Sequence, residues 1–152
     1  MYTVNLKQNL FNGLAVILEN MAPSKVPTLK HMKWAQKSAD KFLKASESFN
    51  ALQKEIMDKT AELNKKMKAA KTDEEKKVVE DEANETILPL IKKRDEIGAE
   101  IASVDLSDEE IEFLRANYKK LLADSFKTIK VALEIADALD VKDVEVKEDE
   151  KK

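Results

Sequence analysis

A mainly α protein is what this sequence predicts, built on a long, coiled-coil-like antiparallel helical hairpin. An N-terminal helix and a long C-terminal helix would pack on it. Three observations carry that expectation. From Thr28 to Lys71 there is neither Gly nor Pro, and apolar or small residues return every seven positions: Ala35, Phe42, Phe49, Ile56, Leu63, Ala70. Two capping-box signatures, Thr72 with Glu75 and Ser107 with Glu110, mark helix starts. Only two Gly and three Pro occur in 152 residues, too few for a sandwich or barrel, which turns every ten residues or so. Residues 1–140 read as one helical domain with the hairpin at about 28–101, and 141–152 as a charged, partly disordered tail.

At the start, Tyr2, Val4 and Leu6 alternate with Thr3 and Asn5, the period of a strand. The spacing predicts a strand at 2–5 and a first helix near 6–21, with Asn5 and Gln8 as an N-cap pair. Gly13 weakens that helix by about 1 kcal/mol relative to Ala. Ala22 to Pro27 then breaks the chain.

The sevenfold repeat predicts one helix of roughly 40 residues, about 60 Å long at 1.5 Å per residue, with a left-handed coiled-coil seam. A break near Ser46 and Ser48 is where this expectation is weakest. Behind the Thr72 cap come Val79, Ala83, Ile87, Leu90, Ile97 and Ile101 at helical spacing, so the second arm returns antiparallel. Pro89 inside it predicts a kink or restart between Thr86 and Pro89. Arg94 falls on the apolar register, where it would snorkel, pair with an acid on the facing helix, or mark a partner contact.

Next, Ala102 to Leu106 alternates. Ser107 then opens a helix carrying Ile111, Leu114, Tyr118, Leu122, Phe126, Ile129 and Leu133, running to about Leu139 with softening at Asp124-Ser125. Val144 and Val146 alternate once more, and Glu148 to Lys152 has nothing to bury. The three alternating segments could pair as a very small β-sheet at the hairpin base.

Chemistry is sparse. Zero Cys excludes thiolate catalysis and Cys-ligated metal. His31 is the only histidine, and Thr28 rather than Glu stands three residues before it, so the di-metal bundle motif is missing. It reads as a surface or partly buried helix residue. Carboxylates sit beside lysines, as in Glu55/Lys59 and Glu62/Lys66, the spacing of helix-stabilising pairs. No GxGxxG, Walker A, HExxH, GxSxG or EF-hand spacing occurs. The reading is therefore no enzyme, no cofactor, no metal and no small-molecule substrate. The formal charge is −3, without the basic excess usual in nucleic-acid binders. The longest apolar run, Leu14 to Leu18, is far below the roughly 20 residues of a membrane span. A cationic-then-apolar leader is lacking at the start, which predicts a cytoplasmic protein.

The layout resembles small uncharacterised helical proteins of tailed bacteriophages and prophages. What carries the likeness is the alternating start Met1 to Leu6, a lysine-rich helix with Phe42 and Phe49, and the Ser-capped segment Val104 to Glu110. It spans roughly residues 1–122, and the chain continues through Ala123 to Leu139 beyond that pattern. It implies an accessory role in phage structural or assembly modules, in host cytoplasm or virion, and transfers no catalytic residue.

Two functional expectations follow. In the first, the protein is non-enzymatic and binds another protein or itself through its hairpin and C-terminal helix, with Phe42, Phe49, Leu52 and Ile56 as candidate contacts. In the second, it binds nucleic acid along the basic stripe Lys30, Lys33, Lys37, Lys41 and Lys44, with Trp34 as a stacking ring. Trp34 also reads as a core anchor flanked by solvated lysines.

Overall fold

The computed structural model describes residues 1–22, 28–119, 125, 126 and 128–141. Among the described residues the chain is mainly helical with one small sheet. In order come β1 (Tyr2–Lys7), α1 (Gln8–Glu19), α2 (Leu29–Ala45), α3 (Glu47–Ala69), α4 (Asp73–Gly98), β2 (Ile101–Leu106), α5 (Asp108–Asn117) and α6 (Ile129–Leu139).

The sheet pairs β1 with β2 antiparallel, from Tyr2 opposite Leu106 to Lys7 opposite Ile101. Val4, Leu6, Val104 and Leu106 point inward and are buried, so the alternation read at both segments has its physical cause in one covered face. The third segment, Val144 and Val146, and the charged tail lie outside the described residues. Gln8 N–H donates to Glu100 O at 2.9 Å, which extends the ladder to the first residue of α1. Asn5 is therefore no helix cap. It sits in β1, where its side-chain oxygen accepts from Ser103 Oγ, and α1, whose N-cap position is Lys7, has no side-chain cap.

The expected 40-residue helix is two helices. Ser46, fully buried, sits at φ −109°, ψ 24° between α2 and α3. Its Oγ donates to Phe42 O at 2.8 Å, the same carbonyl that accepts from Ser46 N–H at 3.1 Å. A serine that bonds back to the preceding turn bends or ends a helix. The sevenfold repeat runs through this corner because it serves two different partners. Ala35 and Phe42 face α1 in the core, with the Phe42 ring stacked 5.3 Å from Phe11. Phe49, Ile56 and Leu63 instead line α3 where it packs on α4.

The hairpin is thus α3 and α4, shorter than predicted. Thr72 and Glu75 form the capping box at its turn, as read. Lys66 Nζ reaches Glu82 across the arms at 3.0 Å, and its same-helix partner Glu62 at 3.9 Å. Arg94 does cross the hairpin, but to an amide, donating to Gln53 Oε1 at 2.8 Å, and it also pairs with its neighbour Asp95. Pro89 neither ends nor restarts α4, which is continuous from Asp73 to Gly98. Pro89 and Glu85 both lie on the exposed side, where water can take up the Glu85 carbonyl that a proline cannot satisfy.

The hydrophobic core draws on β1, α1, α2, β2, α5 and α6, and no residue of α3 or α4 belongs to it. The arms pack chiefly on each other, touched by α1 at their base beside Gly98 and Phe49. At 1.5 Å per residue they are about 35 and 39 Å long.

The predicted C-terminal arm is likewise divided. Ser107 and Glu110 make the second capping box, but α5 ends at Asn117. The helix α6 starts afresh at Thr128, whose Oγ1 accepts from Val131 N–H at 3.2 Å. Of the softening expected at Asp124-Ser125, Asp124 lies outside the described residues, and Ser125 belongs to neither α5 nor α6. Two side chains close the last turn of α6: Arg115 Nε donates to Leu139 O at 2.7 Å and Tyr2 Oη to Ala138 O at 3.0 Å. Among the described residues no helix is long and apolar enough to cross a membrane.

Candidate functional site

The four seam residues are spent inside the chain. Phe42 has no exposed surface, while Phe49, Leu52 and Ile56 are each at least nine-tenths buried. Their apolar area is covered by α1 and by the hairpin's other arm, so none of the four presents itself to a partner. Large apolar side chains that do face solvent on the hairpin are Met57, Val78 and Leu88, each more than half exposed. Sequence reading passed over them because they fall off the seven-residue repeat.

The lysine stripe is partly taken. Lys30, Lys33, Lys37 and Lys44 are exposed. Lys41 instead donates to Glu110 Oε1 at 2.7 Å, and the Glu110 side chain is only 4% exposed. Burial pushes the Glu110 carboxyl up, but the Lys41 ammonium and the Ser107 N–H outweigh it and hold the group below the usual carboxylate range. This ion pair bolts α2 to α5, the helix whose first turn carries Asp108, Glu109 and Glu110. A backbone phosphate approaching the stripe would meet that acidic turn.

Trp34 is half-buried, in keeping with an anchor. Its ring meets His31 edge-on at 5.0 Å and Phe113 at 6.4 Å, and His31 lies 5.6 Å from Phe113. His31 is fixed by its neighbour Thr28: the backbone N–H donates to Thr28 Oγ1 at 3.1 Å, and Nδ1 lies 2.5 Å from the same oxygen. These rings floor an open groove of about 480 Å³ between α2 and α5, walled by Asp108, Glu109, Glu112, Ala116 and Asn117. Residues 109, 112, 113 and 116 are spaced so that one helix face carries them all. Three carboxylates and no lysine or arginine line it. Neither Phe113 nor Glu109 and Glu112 was singled out in the sequence. The i, i+3, i+4, i+7 mixture of acid and aromatic was the available signal, masked by the stronger Ile111–Leu114–Tyr118 stripe.

A second groove, of about 310 Å³, runs along the outside of α3 between Ala51 and Glu62. Its lining mixes three acids with two lysines and contains no ring. Among the described residues no group of three or more His, Asp or Glu is placed to hold a metal ion.

No protein-family model matches this chain, and no curated protein or solved structure matches it.

Proposed function

We propose that this protein is a non-enzymatic interaction protein that uses the α3–α4 hairpin to engage another protein or a second copy of itself. One observation carries the reading: a pair of long helices stands outside the core yet exposes Met57, Val78 and Leu88 to solvent. An extended rod standing off the core suits binding and spacing, whereas small-molecule chemistry needs enclosed pockets with convergent polar groups. The layout likeness to phage accessory proteins is compatible with a structural or assembly role, in host cytoplasm or virion. The nucleic-acid alternative loses support from the Lys41–Glu110 pair and the acidic turn of α5.

The test compares the wild type with a Met57→Glu/Val78→Glu/Leu88→Glu variant. Sedimentation velocity reads self-association, and affinity capture with mass spectrometry reads other partners. The expected result is an assembly or a partner present with the wild type and lost with the variant. A strictly monomeric wild type that retains no protein overturns the proposal, as does equal retention by the variant.

A further inference from the structure

The groove between α2 and α5 is a different surface from the hairpin, and its chemistry is one-sided. Glu109, Glu112 and Phe113 share one face of α5 and stand across from His31 and Trp34 on α2. A half-buried Trp34 ring, with His31 edge-on to it, beside a carboxylate wall is an arrangement that receives an organic cation: the ring face attracts positive charge, and the carboxylates accept its N–H donors. The chain itself shows the preference, since the Lys30 ammonium stands 5.4 Å from the Trp34 ring centroid. Asp108 accepts from the Met1 amino group at 2.9 Å, and Glu112 has a loose partner in Arg115 at 3.4 Å. No hydrogen bond or ion pair engages the Glu109 carboxylate among the described residues, which leaves it the acid best placed to accept a new donor.

We propose that this groove docks a basic segment of a partner protein, with an arginine guanidinium lying against Trp34 and bonded to Glu109 and Glu112. Arginine suits it better than lysine because the planar fork can stack on a ring and still reach a carboxylate edge-on. The groove is open to solvent between α2 and α5. Charge complementarity selects the occupant: with Asp108 held by the Met1 amino group and Glu112 only loosely paired with Arg115, the Glu109 carboxylate attracts a cation and repels an acidic or phosphorylated segment.

Trp34 is the single tryptophan, so its fluorescence reports the groove directly. The full-length protein is titrated with a blocked tri-arginine peptide, with blocked tri-glutamate and spermine as comparison probes. The expected result is a saturating change in emission with tri-arginine, absent with tri-glutamate. It should weaken by about tenfold or more in Glu109→Gln/Glu112→Gln, whose circular dichroism stays that of the wild type. No saturable change with tri-arginine overturns the proposal, as does equal affinity in the double variant. Spermine matching tri-arginine would assign the groove to free polyamines and overturn peptide docking. Because neither α3 nor α4 lines the groove, a negative result here leaves the hairpin reading untouched, and the converse holds.

Discussion

Gly98 and Phe49 occupy a space that admits an aromatic ring or a β-carbon, not both. A Cβ placed on Gly98 would stand 2.8 Å from Phe49 Cε1 and 3.2 Å from Asn9 Cβ. The contact joins the last turn of α4 to the first turn of α3 and to α1, so it sets how closely the hairpin base seats on the rest of the chain. Glycine is there for closeness, since its φ is not positive.

Gly98→Ala should therefore destabilise the protein by about 1–3 kcal/mol, as overpacking does when a buried ring must move. Gly13→Ala should do the reverse. Nothing lies within 4 Å of a Cβ added at Gly13, and replacing a helical glycine by alanine gains about 0.5–1 kcal/mol. Urea denaturation of both variants checks the opposite signs. A Gly98→Ala protein as stable as the wild type would contradict the close packing at the hairpin base.

Ser38 is fully buried in α2, and its Oγ makes no hydrogen bond among the described residues. A hydroxyl held out of water without a partner costs about 1–3 kcal/mol. Ser38→Ala removes that cost and leaves only a small void, so its midpoint of thermal unfolding should rise. A fall would mean that the hydroxyl is bonded in solution.

Glu110 links acidity to stability. Its carboxyl is held below the ordinary range in the folded protein, so the folded state binds its proton less readily than the unfolded chain does. The stabilisation is complete above the unfolded value, about 4.3, and is lost as pH falls through the lower folded value. Stability measured from pH 7 down to pH 3 should drop less steeply in Glu110→Gln than in the wild type. Parallel curves would show that the Lys41 pair carries no linkage.

Arg115 bonds the Leu139 carbonyl, stands 3.8 Å from Asp140 and lies with its guanidinium 4.7 Å from the centroid of the Tyr2 ring. Lysine can keep a charge there but cannot keep the stack and the fork together. Arg115→Lys should cost about 1–2 kcal/mol. Hydrogen exchange should quicken in α6 first, because the orphan carbonyls of its last turn lose a donor. Faster exchange confined to α3 and α4 would argue against this docking role.

Local signals were read well, and changes of direction were not. Both capping boxes and both strands followed from a few neighbouring residues whose chemistry acts over one turn or one pleat. The corner at Ser46 was harder, because a heptad repeat states only that a face is apolar, not which element covers it. Phe42 and Phe49 look equivalent in the repeat and end in different layers. Pro89 was read as a kink or restart, and α4 does not restart there; on its exposed side water can take the Glu85 carbonyl that the proline leaves without a donor. The groove stayed hidden for a related reason. Trp34 and Phe113 lie far apart in the chain, and the ion pair that closes them together, Lys41 with Glu110, spans a gap that no periodicity encodes.

That corner makes the hairpin a separable ruler. Among the described residues the main hydrophobic cluster lies before Glu47 or after Gly98, so whole seven-residue blocks could be added to or cut from both arms in step, beyond the seat of Gly98 on Phe49. Each would change reach by about 10 Å while leaving that cluster untouched, so arm length can vary without repacking the sheet and the four helices around it.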